Sequence, residues 1–314
     1  MDAVRIARAF GLAGQARLSA GPVARGKQGV VWRLETGDGD WAVKVPFRPS
    51  NEDEVRLTTA FQEAAHAAGV PAPRVRRTPA GDVFTDVDGE QVRLYEWVDL
   101  LPPDPGLDPA LVGAVVAAIH LVPIKSEPEP VHPWYTEPVG AQRWDDLVER
   151  LRLAGAPFAD RLAALRDELV ALESWLEPPT DLRTCHRDLW ADNVLPTTTG
   201  GICVIDWENS GAADPGQELA CVLFEFGRTD PGRARALVDA YRSAGGPARL
   251  ERPGHFSMLI AQLGHITEAA AADWLEPNPR SPQRADSEAW VGEVLDEPHT
   301  RRTLSALFQR VRHR

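Results

Sequence analysis

Cysteine is scarce. Cys185, Cys203 and Cys221 are the only three in 314 residues, so any disulfide would leave one over, and their spacing fits no zinc motif. They read instead as small buried packing residues. No run of about 18 apolar residues occurs, which leaves no candidate for a helical membrane span. The N-terminus, Met1-Asp2-Ala3-Val4-Arg5-Ile6-Ala7-Arg8, starts like an amphipathic helix and lacks the apolar core of a secretory signal. The cytoplasm is therefore the expected compartment. Basic charge is in deficit, with 34 Lys and Arg against 46 Asp and Glu and a net charge of −12. Such a chain repels a phosphate backbone, which argues against nucleic acid as a partner, and it suits a cationic one. Repeats and low-complexity runs are absent. The remaining composition, 43% hydrophobic and 25% charged, is that of an ordinary globular protein with one two-lobed unit or two domains.

One stretch carries chemistry. His186-Arg187-Asp188-Leu189-Trp190-Ala191-Asp192-Asn193 is followed, after eight mixed residues, by Ile202-Cys203-Val204-Ile205-Asp206. The spacing matches H-R-D-x-x-x-x-N with a second Asp downstream. Phosphoryl transfer from a nucleotide needs such groups: one carboxylate to accept the proton of the attacking hydroxyl, and an amide and a carboxylate to hold Mg²⁺ against the phosphates. The pattern alone fixes few positions and is weak. Its context strengthens it. Ile202 to Ile205 reads as a buried strand that delivers Asp206 at its end. Val194-Leu195 can pair with that strand across a turn near Thr199-Gly200-Gly201, which brings Asn193 and Asp206 together. Asp188 is the candidate base, and Asn193 and Asp206 are the candidate metal ligands.

Upstream, Trp41-Ala42-Val43-Lys44-Val45 reads as a strand with Lys44 placed to grip phosphates, much as in V-A-I-K. Gln28 to Thr36 reads as a second strand, turned at Gly37-Asp38-Gly39-Asp40. Gly26 and Gly29 precede it as a phosphate-covering loop, although the full G-x-G-x-x-G is missing. The run Gly21 to Lys27 spells most of a Walker A loop, but position eight is Gln28 and β-branched Val30-Val31 follow where a helix should start. We reject the P-loop reading.

With these motifs in place, the chain resembles the aminoglycoside phosphotransferase superfamily of kinase-like small-molecule phosphotransferases. Ile205-Asp206-Trp207-Glu208 resembles its I-D-W or I-D-F segment. Gly211, Asp214-Pro215 and Glu218-Leu219-Ala220 resemble its G-x-x-D-P-x-x-D-L-A tail, with Glu218 in place of the usual Asp. Val70-Pro71-Ala72-Pro73 resembles V-P-x-P, and Ala118-Ile119-His120 resembles a helix ending in Leu-His. The resemblance covers roughly residues 20 to 225. It implies a bilobal, protein-kinase-like α+β fold with ATP or GTP and Mg²⁺ as cofactors. It also implies a helical glutamate paired with Lys44, Glu54 in preference to Glu63, and a hinge over Leu94 to Asp99 whose backbone at Glu96 and Val98 meets the purine edge. The acceptor it implies is a hydroxyl of a small molecule, with an aminoglycoside-like antibiotic leading and sugars, amino sugars and amino alcohols open. Oligomeric state is not legible.

The expected division is a small, mainly antiparallel nucleotide-binding lobe over residues 1–98 and a larger helical lobe over 99–314. A turn-rich linker lies at Leu101 to Gly106. Helices are expected over about Asn51 to Ala68, from Pro109 to Leu121 with Asp108 as N-cap, and from Trp144 to Leu176 with a break near Gly155-Ala156-Pro157. A helix near Trp274 should stop before Pro277, with Pro279 and Pro282 in a loop. Leu304, Leu307, Phe308 and Val311 predict an amphipathic C-terminal helix that docks by its apolar face. Trp207 reads as core packing behind Asp206, and His186 as a residue that orients the loop. Trp190 faces either the core or an acceptor, and Glu208 is either solvated or in contact with a cationic acceptor. Two rival readings are a Ser/Thr kinase acting on a peptide, disfavoured by the lack of A-P-E after Asp206, and a non-catalytic nucleotide-binding pseudokinase. Retention of Lys44, Asp188, Asn193 and Asp206 together argues against the latter.

Overall fold

The structure, a computed structural model, describes residues 1–26, 28–124, 131–276 and 284–312. Lys27, Pro277, Pro279, Pro282, His313 and Arg314, on which sequence expectations fall, lie outside them. In chain order the elements are α1 (Ala3–Ala9), β1 (Arg17–Leu18), β2 (Ala24–Arg25), β3 (Gly29–Thr36), β4 (Gly39–Pro46), α2 (Glu52–Ala67), β5 (Val75–Arg76), β6 (Thr85–Val87), β7 (Glu90–Glu96), α3 (Pro109–His120), α4 (Ala141–Leu153) and α5 (Ala159–Glu173). Then come β8 (Arg183–Cys185), β9 (Val194–Pro196), β10 (Ile202–Val204), β11 (Gly211–Ala213), α6 (Pro215–Gly227), α7 (Pro231–Ser243), α8 (Ser257–Leu275), α9 (Arg284–Asp296) and α10 (Arg301–Val311). Among the described residues no helix is long and apolar enough to cross a membrane. The mixed α+β class is as expected.

Two compact units emerge. The first joins residues 1–104 to 121–124 and 186–210; the second takes 105–120, the described residues of 125–185, and 211 onward. The single cut expected near residue 98 put the H-x-D loop with the helices. The first unit instead takes that loop and its hairpin back to the sheet.

In the first unit the sheet is antiparallel, with order β1-β3-β4-β7-β5; β2 pairs with β3 and β6 with β7. β3 and β4 turn more tightly than the sequence suggests, because Thr36 already pairs with Gly39 and Gly39 takes a φ of 115° that suits glycine. Ile6, Phe10, Leu34, Val43, Val92 and Leu94 form the buried core between α1 and the sheet. Asn51 caps α2 by accepting from the backbone of Asp53 and Glu54. The expected β9–β10 hairpin forms, with Cys203 opposite Leu195. It is tied to the V-P-x-P segment by Val204 N donating to Pro71 O at 2.7 Å.

In the second unit α4, α5, α8 and α9 share a core that includes Trp144, Leu151, Leu162 and Trp274. The D-P-x-x-E-L-A tail explains how α6 starts. Asp214 accepts from the Gly216 backbone at 2.8 Å, and Pro215 occupies the first helical turn, where its missing N–H costs nothing. Glu218 then reaches His120 of α3 at 2.7 Å, and His120 also meets Tyr241 at 2.8 Å. This is a satisfied buried network. The α10 helix buries Leu304, Leu307, Phe308 and Val311, the face its spacing predicts. All three cysteines are buried and unpaired with one another.

Candidate active site

The site assembles within the first unit from two pieces of chain far apart in sequence. Lys44 comes from β4. Its ammonium lies 2.6 Å from Asp206 Oδ1 and 2.5 Å from Glu208 Oε1. Arg93, the residue directly opposite Lys44 on β7, points Nη1 at the same Glu208 oxygen at 3.1 Å. Burial works against the charge on Lys44, but Glu208 and then Asp206 overcome it and raise its pKa above the ordinary lysine range. Burial would raise Asp206, yet the neighbouring Glu208 side chain and then Lys44 hold it below the usual carboxylate range. Glu208 is raised, by burial first and then by the neighbouring Asp206. Tyr95, two residues along β7, is pushed up to about 12 by burial and by the charge of Glu208.

The loop that carries Asp206 is braced. Asp206 adopts φ 62°, as does Arg187 nearly, at 64°. Left-handed backbone at non-glycine residues is costly and persists only where the surroundings hold it. Trp207 provides much of that hold. It is 2% exposed, donates its indole N–H to Val204 O at 3.0 Å, and packs edge-on against Phe61 of α2 and against His186. His186 donates from Nε2 to Ile205 O at 3.1 Å. Arg187 donates to the carbonyls of Asn209 at 2.5 Å and Ser210 at 3.2 Å.

Asp188 receives two amides on one oxygen. Asn193 Nδ2 lies 2.9 Å from Asp188 Oδ2, and Asn209 Nδ2 lies 3.0 Å from it. Two donors on one oxygen fix the plane of the carboxylate. Asn193 also donates to the Asp188 carbonyl at 2.9 Å, and its own carbonyl accepts from Ile205 N at 2.9 Å. Asp188, Asn193, Asp206 and Lys44 are thus joined through direct bonds and one backbone link.

Other expected residues fall differently. Glu54 is exposed in the first turn of α2, and Glu63 is held by Arg77 through two bonds of 2.8 and 2.7 Å. Glu208 takes the position on Lys44 where a helical glutamate is expected. It turns inward, so neither expected role, solvated side chain or acceptor contact, describes it. Gly29 pairs with Pro46 at the start of β3, where a Cβ would stand 2.4 Å from Val45 O; the strands demand this glycine on their own account. Gly26 has nothing within 4 Å of its Cβ position. Glu96 ends β7, its carboxylate clamped by Arg74 at 3.0 Å and its pKa lowered by that bond. Val98 follows it, half-buried. Burial, then the charge of Glu96, pushes the Cys203 thiol up to about 12 and keeps it neutral. The sequence motifs single out neither Arg93 nor Asn209, and they place Tyr95 only within the hinge. An arginine at an inward strand position needs a buried partner, and that was the available signal for Arg93.

The donor set suits a hard cation. Asp206 offers carboxylate oxygens and Asn193 an amide oxygen, the ligand types Mg²⁺ prefers.

A profile of the phosphotransferase enzyme family matches residues 20–252. No curated protein sequence among those compared matches the chain. Solved structures share the fold. A spectinomycin phosphotransferase in complex with ADP and spectinomycin superposes with a TM-score of 0.70 at 14% identity, covering 98% of this chain and 97% of that one. An aminoglycoside phosphotransferase from Alicyclobacillus acidocaldarius gives 0.66 at 17%, with 99% and 96% covered. A choline/ethanolamine kinase family protein from Mesorhizobium loti gives 0.53 at 21%, with 95% and 94% covered. With its profile match spanning the sheet, the H-x-D loop and the start of the helical third, the chain belongs to the phosphotransferase enzyme family.

Proposed function

We propose that this enzyme transfers the terminal phosphoryl group of a nucleoside triphosphate, with Mg²⁺, to a hydroxyl of a small molecule. The observation that carries the reading is the convergence of Asp188, Asn193, Asp206 and Lys44 in one unit. Asp188 accepts the proton of the acceptor hydroxyl, its carboxylate oriented by Asn193 and Asn209. Lys44 balances the phosphate charge. Asp206 and Asn193 would hold Mg²⁺, which when bound neutralises charge on the phosphates. The row of β7 that holds Glu96 lies three residues from that of Arg93, roughly 10 Å at strand spacing. That separation leaves room for a nucleoside between hinge and phosphate sites, with the backbone at Glu96 and Val98 toward the base and the open loop at Gly26 toward the phosphates.

The acceptor we favour is cationic, of the aminoglycoside or amino-alcohol kind. The net charge of −12 supports it. So do the names of the similar structures, spectinomycin, aminoglycoside and choline or ethanolamine, whose compounds share a hydroxyl and a cationic nitrogen. Antibiotic resistance would follow if the acceptor is a drug. The test is nucleotide consumption, with ATP and with GTP, across aminoglycosides, amino alcohols, sugars and peptides. Turnover with a small hydroxylated amine supports the proposal. Turnover with peptides alone, or binding without any turnover, overturns it.

A further inference from the structure

The pair of cations at the root of the site poses a physical problem. Lys44 and Arg93 face each other directly across β4 and β7, and like charges at such positions destabilise a sheet. Arg93 is 4% exposed and Lys44 17%, so water screens little of the repulsion. Glu208, 14% exposed, touches both. Asp206 touches Lys44 alone and is 41% exposed. Of the two carboxylates on Lys44, Asp206 is the one that can turn to another cation, while Glu208 keeps two anchors. In kinases a helical glutamate holds the phosphate-binding lysine. Here Glu54 is exposed and Glu63 belongs to Arg77.

We propose, resting on the phosphoryl-transfer reading above, that Glu208 is the positioning residue for Lys44 and that Arg93 buttresses it. Asp206 and Glu208 then flank Trp207 in one short turn, which Trp207 pins against Phe61 and His186. The metal ligand and the anchor of the phosphate lysine keep a fixed spacing because one turn carries both. The α2 helix contributes packing, through Phe61, and no charge to Lys44.

The test compares affinity for a nucleoside with that for its triphosphate, using adenosine with ATP and guanosine with GTP, by calorimetry on the full-length protein in EDTA and again with Mg²⁺. Glu208→Gln should weaken triphosphate binding roughly tenfold or more, as expected when one partner of a buried ion pair is neutralised, and leave nucleoside binding unchanged. The loss should persist in EDTA, because it acts through Lys44. Glu208→Asp should regain part of the affinity, and it covers the case in which the Gln variant fails to fold. Glu54→Ala should bind both ligands as wild type does. Wild-type triphosphate affinity in Glu208→Gln, or a loss confined to Mg²⁺ samples, would overturn the assignment; the latter would make Glu208 a metal ligand. Equal loss of nucleoside and triphosphate would show mere structural damage and overturn it as well. A wild-type protein with no preference for triphosphate over nucleoside would instead refute the phosphoryl-transfer reading, and this assignment with it.

Discussion

Replacing Gly29 by alanine separates two reasons for a glycine near a phosphate-binding loop. Built on the observed backbone, the new Cβ would lie 2.4 Å from Val45 O, 2.9 Å from the Pro46 Cα and 3.1 Å from the Val45 carbonyl carbon. Ordinary contact for a Cβ begins near 3.4 Å, so β3 and β4 must part by about 1 Å where Gly29 pairs with Pro46. The obstructing atoms are main chain and have no rotamer to escape into. Forced overpacking of this kind costs roughly 1–3 kcal/mol. At about 2–4 °C per kcal/mol for a domain of this order, the melting temperature should fall by roughly 2–12 °C. Gly26→Ala is the control: nothing lies within 4 Å of its Cβ position, and its φ is not among the positive ones. Its stability should stay within about 0.5 kcal/mol of wild type, while KM for the nucleotide rises if the loop closes on phosphates. Scanning calorimetry and nucleotide KM on both variants decide the matter. A Gly29→Ala protein that melts with wild type yet loses nucleotide affinity would refute the packing argument and return Gly29 to the ligand.

Asp188→Asn should leave nucleotide binding nearly intact and lower kcat by roughly 10²-fold or more, the scale of lost general-base catalysis; equal turnover would remove Asp188 from the chemistry. Asp206→Ala should abolish the Mg²⁺-dependent part of nucleotide affinity, measured by calorimetry with and without the ion; an unchanged Mg²⁺ increment would leave Asp206 a structural role. His299 is fully buried, and burial lowers its pKa to about 4 from an ordinary 6.5. Between those values the unfolded chain binds more protons, so stability is whole above about pH 6.5 and is lost as pH falls toward 4, by about 3 kcal/mol in all. Urea unfolding of wild type and His299→Gln across that window should show the steeper fall in wild type; parallel curves would contradict it. If the acceptor is polycationic, its KM at saturating nucleotide should rise steeply with salt, since attraction is screened over about 10 Å at 0.1 M. A flat profile would favour a neutral acceptor.

What the chain's order of residues determined was whatever depends on near neighbours. The strand over Trp41 to Val45, the apolar run from Ile202, Asp108 as a cap, and the spaced Leu304, Leu307, Phe308 and Val311 all became the elements expected. The approach of Asn193 to Asp188 is equally local, because five residues of one tight loop leave few other places for the amide. Tertiary structure alone decided who stands on Lys44. Glu54 and Glu63, on the nearby helix, looked nearer in sequence than Glu208, and a helix face cannot be oriented from its own composition when Thr58, Thr59 and Gln62 are buried on it. Glu208 arrives from more than 160 positions away, delivered by a turn whose angle depends on Trp207 finding Phe61 and His186. Arg93 as its second cation and Asn209 as the second amide on Asp188 depend on that same packing. Pairwise electrostatics acts over a few ångströms, and only the folded chain sets which charges come that close.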